Sequence, residues 1–421
     1  MDRLALLARL ARPGEAAVHL AAQDLVAALP AASLAVREGV AWRREAGGAW
    51  RATDEPAWEA MRAFLRGPGW RVALLGYDAG RLVERLPSLA RDDTRLPQVL
   101  LHRFEAAYVA GDLRAVDDAA GLRLAERAKA DPPPRAAGRA GPLAPSLPRA
   151  RFERMVHEAK AHVRAGDVFQ VNLSHRLEGD CDADPVALYA RLARANPAPH
   201  AAFLQSGPLP EDAEGFVVLS ASPERLVRVA DGRIEARPIA GTRPRGADPE
   251  EDAALVEELR RDGKEQAEHA MMVDLARNDL GRVAAFGSVC VPRLADVETY
   301  RSVHHLVSTV EARLRPGADA VDVVRALFPG ATITGAPKVR AMEVIEALEP
   351  VRRGVYTGSL GALTSEGELD LNILIRTFLL RRGRLHLQVG AGIVEESDPA
   401  REWDETLAKA KGMLLALEDV A

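Results

Sequence analysis

The stretch Arg237-Pro-Ile-Ala-Gly-Thr-Arg-Pro-Arg-Gly246 follows closely on a turn signal, the dipeptide Asp231-Gly232. Apolar runs lie on both sides of this dipeptide, over Leu226–Ala230 and Ile234–Ile239. Two such runs separated by Asp-Gly are typical of antiparallel strands joined by a two-residue turn. The sequence therefore predicts a β-hairpin that leads directly into the quoted stretch.

The predicted hairpin places an acidic side chain near glycine-containing backbone. With Asp-Gly as the turn, Glu224 pairs with Ile239, one residue before Ala240. The Glu224 carboxyl group and the backbone of Gly241 and Thr242 then lie at one end of a sheet. Because side chains alternate between the two faces of a strand, a β-bulge is needed to bring Ala240 to the face of Glu224. An ordinary hairpin with a charged end explains the pattern equally well.

The chain has 421 residues, enough to bury a large core as one α/β unit or as two lobes. Hydrophobic residues make up 48%, charged residues 28%, and the net charge is −5, which fits a soluble globular protein and gives no indication of nucleic-acid binding. Charges interrupt the apolar amino terminus, so we predict neither a signal peptide nor a membrane span. Two cysteines, Cys181 and Cys290, are too few for a disulfide framework, which favours a cytoplasmic location.

Residues 130–148 form the clearest break in composition, because they are rich in proline, glycine and alanine and show almost no periodicity. We interpret them as a linker or a long surface loop. The chain then divides into an amino-terminal region, residues 1–129, and a larger region, residues 149–421.

Several helix boundaries are predicted beyond this segment. The pattern of Arg151–Ala165 is helical. Asp248, followed by proline, is a candidate N-cap, and the helix that it starts is expected to break at Gly263. Pro337 opens another helix, which runs to about Leu348.

A long strand is predicted over Leu369–Leu380, turning through Arg382-Gly383 into Leu385–Val394. Because many of the predicted strands are joined by hairpins, the sheets should be mostly antiparallel. The predicted fold class is therefore α/β in the broad α+β sense, with large antiparallel sheets surrounded by helices.

Two pairs of glutamates fall in predicted helices, Glu265 with Glu268 and Glu402 with Glu405. Residues three apart share one face of a helix, so each pair projects two carboxylates in one direction. Together the pairs could hold a hard cation such as Mg²⁺, which prefers oxygen ligands. Solvated surface glutamates are the commoner explanation for any single pair.

Arg376 lies within the apolar segment Leu371–Phe378. Burying an unpaired guanidinium costs several kcal/mol, so this side chain needs an acceptor. A substrate carboxylate bound by two hydrogen bonds would suit it, and a structural ion pair would suit it equally.

Glycine-rich segments and a pair of histidines add further candidates. The segment Phe328–Lys338 enters a helix, whose free amides attract anions, but it lacks the spacing of a phosphate-binding P-loop. Gly390 and Gly392 lie within a predicted strand, where they permit either close backbone approach to a ligand or a bulge. His304 or His305 could transfer protons, although a satisfied core histidine is commoner. Neither cysteine lies in a nucleophile elbow, so the chain has no amidohydrolase site of its own.

Six motifs in this order resemble the chorismate-utilising enzymes, which include anthranilate synthase component I and aminodeoxychorismate synthase component I. They are Phe169-Gln-Val-Asn-Leu-Ser174, Ser220-Ala-Ser-Pro-Glu-Arg225, Pro238-Ile-Ala-Gly-Thr-Arg243, Asp274-Leu-Ala-Arg-Asn-Asp279, Thr334-Gly-Ala-Pro-Lys-Val-Arg-Ala-Met342 and Gly390-Ala-Gly-Ile-Val394. The resemblance implies an anthranilate-synthase-like fold, in which the amino-terminal region contributes to the catalytic unit.

The resemblance also implies roles for the acidic residues. Glu268 and Glu405 correspond to Mg²⁺ ligands, with Glu265 and Glu402 as supporting carboxylates. Glu224 corresponds to the acid that helps the C4 hydroxyl of chorismate to leave.

Further positions are implied to contact the substrate or to move protons. His305 corresponds to a histidine of later proton transfer. The implied substrate-binding positions are Gly241, Thr242, Thr332, Tyr356, Arg376, Gly390, Ala391, Gly392 and Lys409.

Two positions bear on the reaction within the family. Isochorismate synthases carry a lysine, the base for water, where this chain has Gln170, so ammonia is the expected nucleophile. Aminodeoxychorismate synthases typically carry a nucleophilic lysine where this chain has Ala240, as anthranilate synthases do. Three segments nevertheless favour aminodeoxychorismate synthase, namely those containing Phe169-Gln-Val-Asn172, Phe328-Pro-Gly-Ala-Thr-Ile-Thr-Gly335 and Gly76-Tyr-Asp-Ala-Gly-Arg81.

The sequence alone therefore favours formation of 4-amino-4-deoxychorismate, with anthranilate synthase as the alternative and a catalytically silent chorismate-binding subunit as a further one. The missing glutaminase nucleophile implies a separate glutamine amidotransferase subunit that supplies ammonia. The early signature for tryptophan feedback is absent, although Asn196–Pro199 resembles another part of that pocket and His200 replaces its usual tyrosine.

Overall fold

A computed structural model describes residues 2–135, 138–300, 303–364 and 366–418. Its helices are α1 (Arg3–Leu10), α2 (Ala57–Phe64), α3 (Asp118–Lys129), α4 (Arg149–Arg164), α5 (Pro185–Ala195), α6 (Pro249–Arg261), α7 (Gly263–Gly281), α8 (Ala320–Leu327), α9 (Lys338–Leu348) and α10 (Pro399–Glu418), with short 3₁₀ helices at Tyr77–Leu82 and Ala331–Ile333. Within the described ranges, no helix is both long and apolar enough to cross a bilayer.

The strands are short to medium in length and are spread over the whole chain. They are β1 (Ala17–Leu20), β2 (Leu25–Ala28), β3 (Ala32–Arg37), β4 (Val40–Glu45), β5 (Arg51–Thr53), β6 (Trp70–Leu75), β7 (Val99–Phe104), β8 (Ala106–Val109), β9 (Asp112–Ala115), β10 (Ala144–Pro145), β11 (Gln170–Asp180), β12 (His200–Gln205), β13 (Val217–Ser222), β14 (Arg225–Ala230), β15 (Arg233–Ala236), β16 (Ile239–Pro244), β17 (Cys290–Thr299), β18 (Val303–Arg313), β19 (Gly335–Ala336), β20 (Ser359–Leu363), β21 (Leu369–Asn372), β22 (Thr377–Arg381) and β23 (Arg384–Ile393).

These strands form two large sheets in which the paired strands run antiparallel. The first sheet has the order β10-β11-β23-β22-β13-β12-β1-β2-β8-β9, with β19 beside β11. The second has the order β16-β18-β15-β14-β21-β20-β6-β7-β3-β4-β5, with β17 beside β18.

The two sheets pack face to face, and helices cover their outer faces. Apolar side chains of both sheets form the core between them, including Val18 and Val218 from the first sheet and Val72 and Leu360 from the second. Helices α1, α3, α5 and α10 cover the outer face of the first sheet, and α2, α7 and α8 cover that of the second. Helices α4 and α9 pack against β11 and β23. The predicted class, large antiparallel sheets surrounded by helices, is confirmed.

Strands from before and after residues 130–148 alternate in both sheets. Strand β1 pairs with β12, and β6 pairs with β20. The described part of the intervening segment lies along the edge of β11, where Gly141 donates its N–H to the Asp180 carbonyl at 2.8 Å and β10 forms a short ladder. Residues 136 and 137 lie outside the described ranges. The division at 130–148 stays a prediction, and the sheets run continuously across it.

The predicted Asp231-Gly232 turn is confirmed, because Ala230 pairs with Arg233 and both turn residues have positive φ, 51° and 70°. The predicted pairing of Glu224 with Ile239 is wrong. Strand β15 ends before Pro238, which has no N–H for the ladder. Beyond it the chain stays beside β18, which already pairs with β15, and Ile239 pairs with Val307.

The predicted β-bulge is present, but it faces β18 and not β14. Ala240 pairs with Leu306 and Thr242 pairs with His305, which leaves Gly241 as the extra residue with φ 75°. Glycine adopts this left-handed conformation without the steric cost that a Cβ atom imposes.

The helix boundaries agree with the sequence-based expectations. Helix α4 covers the predicted segment, and the Asp248 carboxylate accepts the N–H groups of Glu250 and Glu251. A single residue, Asp262, separates α6 from α7 and caps the latter, and α9 begins directly after Pro337.

The single strand predicted over 369–380 is wrong. Strand β21 belongs to the second sheet and β22 to the first, so residues 373–376 cross from one sheet to the other. Arg376, the last residue of this crossover, has φ 50°. The apolar pattern continues through the crossover because Ile373 and Leu374 are both buried, Leu374 in the core between the sheets and Ile373 in the core on the outer side of the second sheet. The predicted turn at Arg382-Gly383 is confirmed, with Arg381 opposite Arg384.

Candidate active site

Two crossovers between the sheets lie side by side and bring Glu224 close to Arg376. The chain passes from β13 in the first sheet to β14 in the second through residues 223–224, and it returns through residues 373–376. The crossovers are joined at both ends, because Ile373 donates its N–H to the Glu224 carbonyl and Ala221 donates its N–H to the Arg376 carbonyl, each at 3.0 Å. This pairing places a carboxyl group and a guanidinium in one site.

Glu224 is 8% exposed, and among the residues that the structure describes its carboxyl group has one side-chain hydrogen-bond partner. Thr332, in the 3₁₀ helix 331–333, donates its hydroxyl to Glu224 Oε1 at 2.9 Å. Burial raises the pKa of Glu224 to about 7, against the opposing effects of the Thr332 hydrogen bond and the Arg376 charge. At neutral pH a large fraction of this carboxyl group therefore carries a proton, as a general acid requires.

The Arg376 side chain is exposed to solvent at this site. Among the described residues, no hydrogen bond or ion pair engages its guanidinium, so the structural ion pair considered from the sequence is not formed. The surrounding protein lowers the pKa of Arg376 by desolvation, and the nearby Glu224 opposes this shift. An arginine remains charged in any case, so the five N–H donors of the Arg376 guanidinium can bind an anion at this site.

His305 lies beside the bulge in β16. Its Nδ1 is 2.9 Å from the Thr242 hydroxyl and 3.4 Å from the Gly241 carbonyl, and the Tyr300 ring packs edge-on against it at 5.7 Å. Burial lowers the pKa of His305, so at neutral pH it is an uncharged imidazole that can accept a proton.

His304 is the satisfied core histidine of the pair. It is 1% exposed, and its two ring nitrogens contact Asp252 at 2.9 Å and Thr299 at 2.8 Å. Adjacent residues of β18 point to opposite faces, which explains why only His305 can face the site.

Gly390 and Gly392 allow two side chains to approach β23 closely. A Cβ atom on Gly390 would lie 2.7 Å from the Tyr356 hydroxyl, and one on Gly392 would lie 2.3 Å from Gln170 Nε2. Strand β23 pairs with β11 without a register shift here, so no bulge is present. Ala391 faces the opposite side and is fully buried in the core below. Burial raises the pKa of Tyr356 to about 12, which keeps its hydroxyl protonated.

The four glutamates of the predicted metal site lie on α7 and α10. The Glu265 side chain lies against the bulge. Gly241 has no Cβ atom, and one built there would lie 3.1 Å from Glu265 Oε2. Lysines engage two of the others, with Lys264 Nζ 3.7 Å from Glu268 and Lys409 Nζ 2.8 Å from Glu405. Lys409 also donates to the Gly390 carbonyl at 3.2 Å.

Electrostatic coupling connects the two helices. Burial raises the pKa of both Glu268 and Glu402, and like charges from Glu265 and Glu405 add to these shifts. The Lys264 charge lowers the pKa of Glu268 and of Glu402, so this lysine acts electrostatically on carboxyl groups of both helices.

Within the part of the chain that the structure describes, no three acidic, histidine or cysteine side chains stand at metal-binding spacing. The donors nevertheless suit Mg²⁺, because they are carboxylate oxygens and a cation would relieve the repulsion that adds to the effect of burial on the two pKa values. The structure thus gives Lys264 with Glu268 on α7 and Lys409 with Glu405 on α10, two helices that each present carboxylates beside a lysine.

The sequence interpretation missed a buried arginine, Arg353, whose hydrogen bonds hold several segments of the site together. Arg353 is 4% exposed and forms an ion pair with Glu349, with N–O distances of 2.8 and 3.0 Å. It also donates to the carbonyls of Ile333 at 2.8 Å and Asn172 at 2.6 Å. Its guanidinium lies 5.6 Å from the Tyr356 ring centroid. The segment Glu349–Gly354, charged and directly after a helix, was the available signal.

Comparisons with known proteins agree on the family. Residues 21–415 match a family model described as chorismate binding enzyme. Anthranilate synthase component 1 of Thermus thermophilus is 45% identical over 366 residues, covering 83% of this chain and 78% of that protein. Aminodeoxychorismate synthase component 1 of Bacillus subtilis is 40% identical over 379 residues, covering 86% and 79%. The crystal structure of anthranilate synthase component I from Streptococcus pneumoniae superposes with a TM-score of 0.82 at 30% identity, covering 96% and 93%.

Proposed function

The chain belongs to the chorismate-binding enzyme family and is a chorismate-utilising synthase, and we propose that it adds ammonia to C2 of chorismate and releases anthranilate, pyruvate and water. This proposal departs from the C4 product that the sequence segments favour. The observation that supports it most is that position 240 is an alanine and not a lysine.

Ala240 has no group that can form a covalent bond to the substrate. It lies in β16 opposite Leu306, directly before the bulge at Gly241. The two lysines near the acidic helices, Lys264 and Lys409, contact Glu268 and Glu405. Without a lysine adduct at C2, that carbon stays open to direct attack by ammonia. The 45% identity to the anthranilate synthase component 1 of Thermus thermophilus supports the same choice.

Glu224 and His305 divide the proton transfers. Protonated Glu224 gives its proton to the C4 hydroxyl, which leaves as water while the ammonia nitrogen bonds to C2 and the ring double bonds shift. Neutral His305 then accepts the C2 proton. The new ammonium group returns a proton to the Glu224 carboxylate. The C3–O bond breaks, enolpyruvate leaves and becomes pyruvate as it takes up the proton held by His305, and the ring becomes aromatic. Chorismate and ammonia thus balance anthranilate, pyruvate and water.

Two carboxylates of the substrate need counter-charges. Arg376, with a guanidinium free of other partners among the described residues, would bind one of them, close to the Tyr356 hydroxyl and the Gly390–Gly392 backbone. Mg²⁺ held by Glu268 and Glu405, with Glu265 and Glu402 nearby, would neutralise the other.

Ammonia would come from a separate glutamine amidotransferase subunit. Relatives named component 1 imply a partner component. The proposal predicts turnover of chorismate with ammonium salts and none with glutamine alone. Glutamine consumption by the purified single chain would contradict it.

Aminodeoxychorismate synthase is the second candidate, favoured by the three sequence segments and by the Bacillus subtilis relative. Products formed from chorismate and ammonium separate the two. Fluorescent anthranilate with equimolar pyruvate supports the proposal, whereas 4-amino-4-deoxychorismate without pyruvate contradicts it. An Ala240→Lys variant is expected to lose anthranilate formation, and an unchanged product ratio would remove the role given to this position.

A further inference from the structure

Each of the two carboxylate-bearing helices is attached to a strand by a buried hydrogen bond between a histidine and a hydroxyl group. On α7, His269 Nε2 lies 2.6 Å from the Ser308 hydroxyl of β18. On α10, the Thr406 hydroxyl lies 2.8 Å from His175 Nε2 of β11. All four side chains are at most 2% exposed.

These bonded residues are sequence neighbours of the carboxylates. His269 follows Glu268, and Thr406 follows Glu405. Consecutive residues of an α-helix are about 100° apart around its axis. A bond that fixes one of them to a strand therefore fixes the direction in which its neighbour points.

The required accuracy is high. A side-chain atom lies roughly 5–6 Å from the helix axis, so a rotation of about 20° moves it by about 2 Å. Mg²⁺ binds oxygen ligands at about 2.0–2.1 Å and tolerates little distortion. A small rotation of either helix is thus enough to remove a ligand.

The contact on α10 has a defined direction. The Thr406 hydroxyl donates to the Trp403 carbonyl at 2.7 Å, so it accepts from His175, whose Nε2 carries the proton. The His175 ring stacks on Trp403 with centroids 4.4 Å apart and planes at 15°. The Phe152 ring packs against both rings, at 5.2 and 5.7 Å. Ring stacking and the hydrogen bond together oppose rotation of α10.

The contact on α7 is equally constrained. Ser308 Oγ accepts the N–H of Ala295 at 2.8 Å and also contacts His269 Nε2, where the tautomer of the histidine sets which atom donates. Ser308 also donates its own N–H to the Pro238 carbonyl at 3.2 Å, directly before β16. Ser308 therefore connects helix α7 to the start of β16, the strand that carries the bulge.

We propose that the His175–Thr406 and His269–Ser308 hydrogen bonds position the glutamates of α10 and α7 for Mg²⁺ binding. This inference rests on the proposed metal site. The four residues are positioning residues that act through the carboxylates. A purely structural role would cost stability and leave the affinity for Mg²⁺ unchanged.

The test compares the Mg²⁺ affinity and the melting temperature of variants of the full chain. Thr406→Val keeps the volume and removes the hydroxyl, and Ser308→Ala removes the partner on the other strand. Each is expected to weaken Mg²⁺ binding by about tenfold or more, the size of effect seen when partners of metal ligands are removed. Thr406→Ser is expected to restore the affinity. The measurement is titration calorimetry with MgCl₂, together with the Mg²⁺ dependence of the initial rate.

Ser33→Ala is the matched control, because Ser33 and His102 form another buried hydroxyl–histidine contact, at 2.8 Å between β3 and β7. It is expected to lower the melting temperature without changing Mg²⁺ affinity. Ser308→Ala gives an independent answer if Thr406→Val fails to fold.

Two outcomes overturn the inference in different ways. Unchanged Mg²⁺ affinity in Thr406→Val and Ser308→Ala, with a stability loss like that of Ser33→Ala, contradicts the positioning role alone. Absence of Mg²⁺ binding by the unsubstituted chain, with Glu268→Gln equally inert, contradicts the proposed metal site and the inference with it.

Discussion

The Thr332 hydroxyl donates a hydrogen bond to Glu224 Oε1 at 2.9 Å, across a separation of 108 residues. The hydrogen bond stabilises the ionised carboxylate, while burial stabilises the neutral acid and has the larger effect. The balance places the pKa of Glu224 at about 7. The pKa of the proposed general acid is thus set by two opposing effects.

The pH dependence of turnover should report this balance. Because the acid form is the active one and its pKa is about 7, kcat/KM is expected to be highest below pH 7 and to fall as the pH rises through that value. In Thr332→Val the carboxylate loses a stabilising donor, so the falling limb should move to higher pH. Glu224→Gln should lose about 10²- to 10⁴-fold in kcat. A falling limb at the same pH in Thr332→Val would contradict the assignment.

Arg376 should act in substrate binding and not in stability. It has no ion pair to lose among the described residues, so Arg376→Ala is expected to change the melting temperature little. The loss of a charge-assisted hydrogen bond of about 1.5–3 kcal/mol should raise the KM for chorismate by about 10- to 100-fold. Steady-state kinetics at saturating Mg²⁺ measure this effect.

Arg381 provides the comparison for Arg376. Its guanidinium forms an ion pair with Asp212 at 2.5 Å and donates to the Gly215 carbonyl at 3.3 Å. Arg381→Ala is therefore expected to lower the melting temperature and to leave the KM unchanged. A KM effect equal to that of Arg376→Ala would show that neither residue binds substrate directly.

Glu268→Gln should abolish Mg²⁺-dependent activity, because an uncharged amide replaces a proposed ligand and is a weaker one for a hard cation. Glu257→Gln is the control, since Glu257 pairs with Arg261 at 2.6 Å on neighbouring α6. The rate is measured as a function of Mg²⁺ concentration. If Glu268→Gln follows the same Mg²⁺ curve as Glu257→Gln, the metal assignment is wrong.

Tryptophan is not expected to inhibit this enzyme. The cavity beside His200, bordered by Leu20, Gln23 and Asn372, has a volume of only 10 Å³, about the space that one water needs. Asn372 donates its side-chain amide to the His200 carbonyl at 3.1 Å, which joins two residues of the cavity wall. Initial rates with and without millimolar tryptophan test this. Inhibition that His200→Tyr abolishes would place a working site there.

Local features were predictable because neighbouring residues generate them. The Asp231-Gly232 turn, the Asp248 cap and the helix break next to Gly263 depend on backbone conformations and donors within a few residues. The bulge at Gly241 was also foreseen, although its partner strand was not. Strand partners depend on residues far away in the chain, and β18, which pairs with both β15 and β16, comes from residues 303–313.

The sequence by itself determined the family, the antiparallel class and the residue types that chorismate chemistry needs, because these follow from ordered motifs, hairpin signals and side-chain chemistry. Only the tertiary structure decided that Leu369–Leu380 divides between two sheets and that the resulting crossover sets Arg376 beside Glu224. It also decided that His305, and not His304, faces the site. Burial and charge at these positions depend on side chains that are distant in the sequence. The raised pKa of Glu224 is therefore a property of the folded chain.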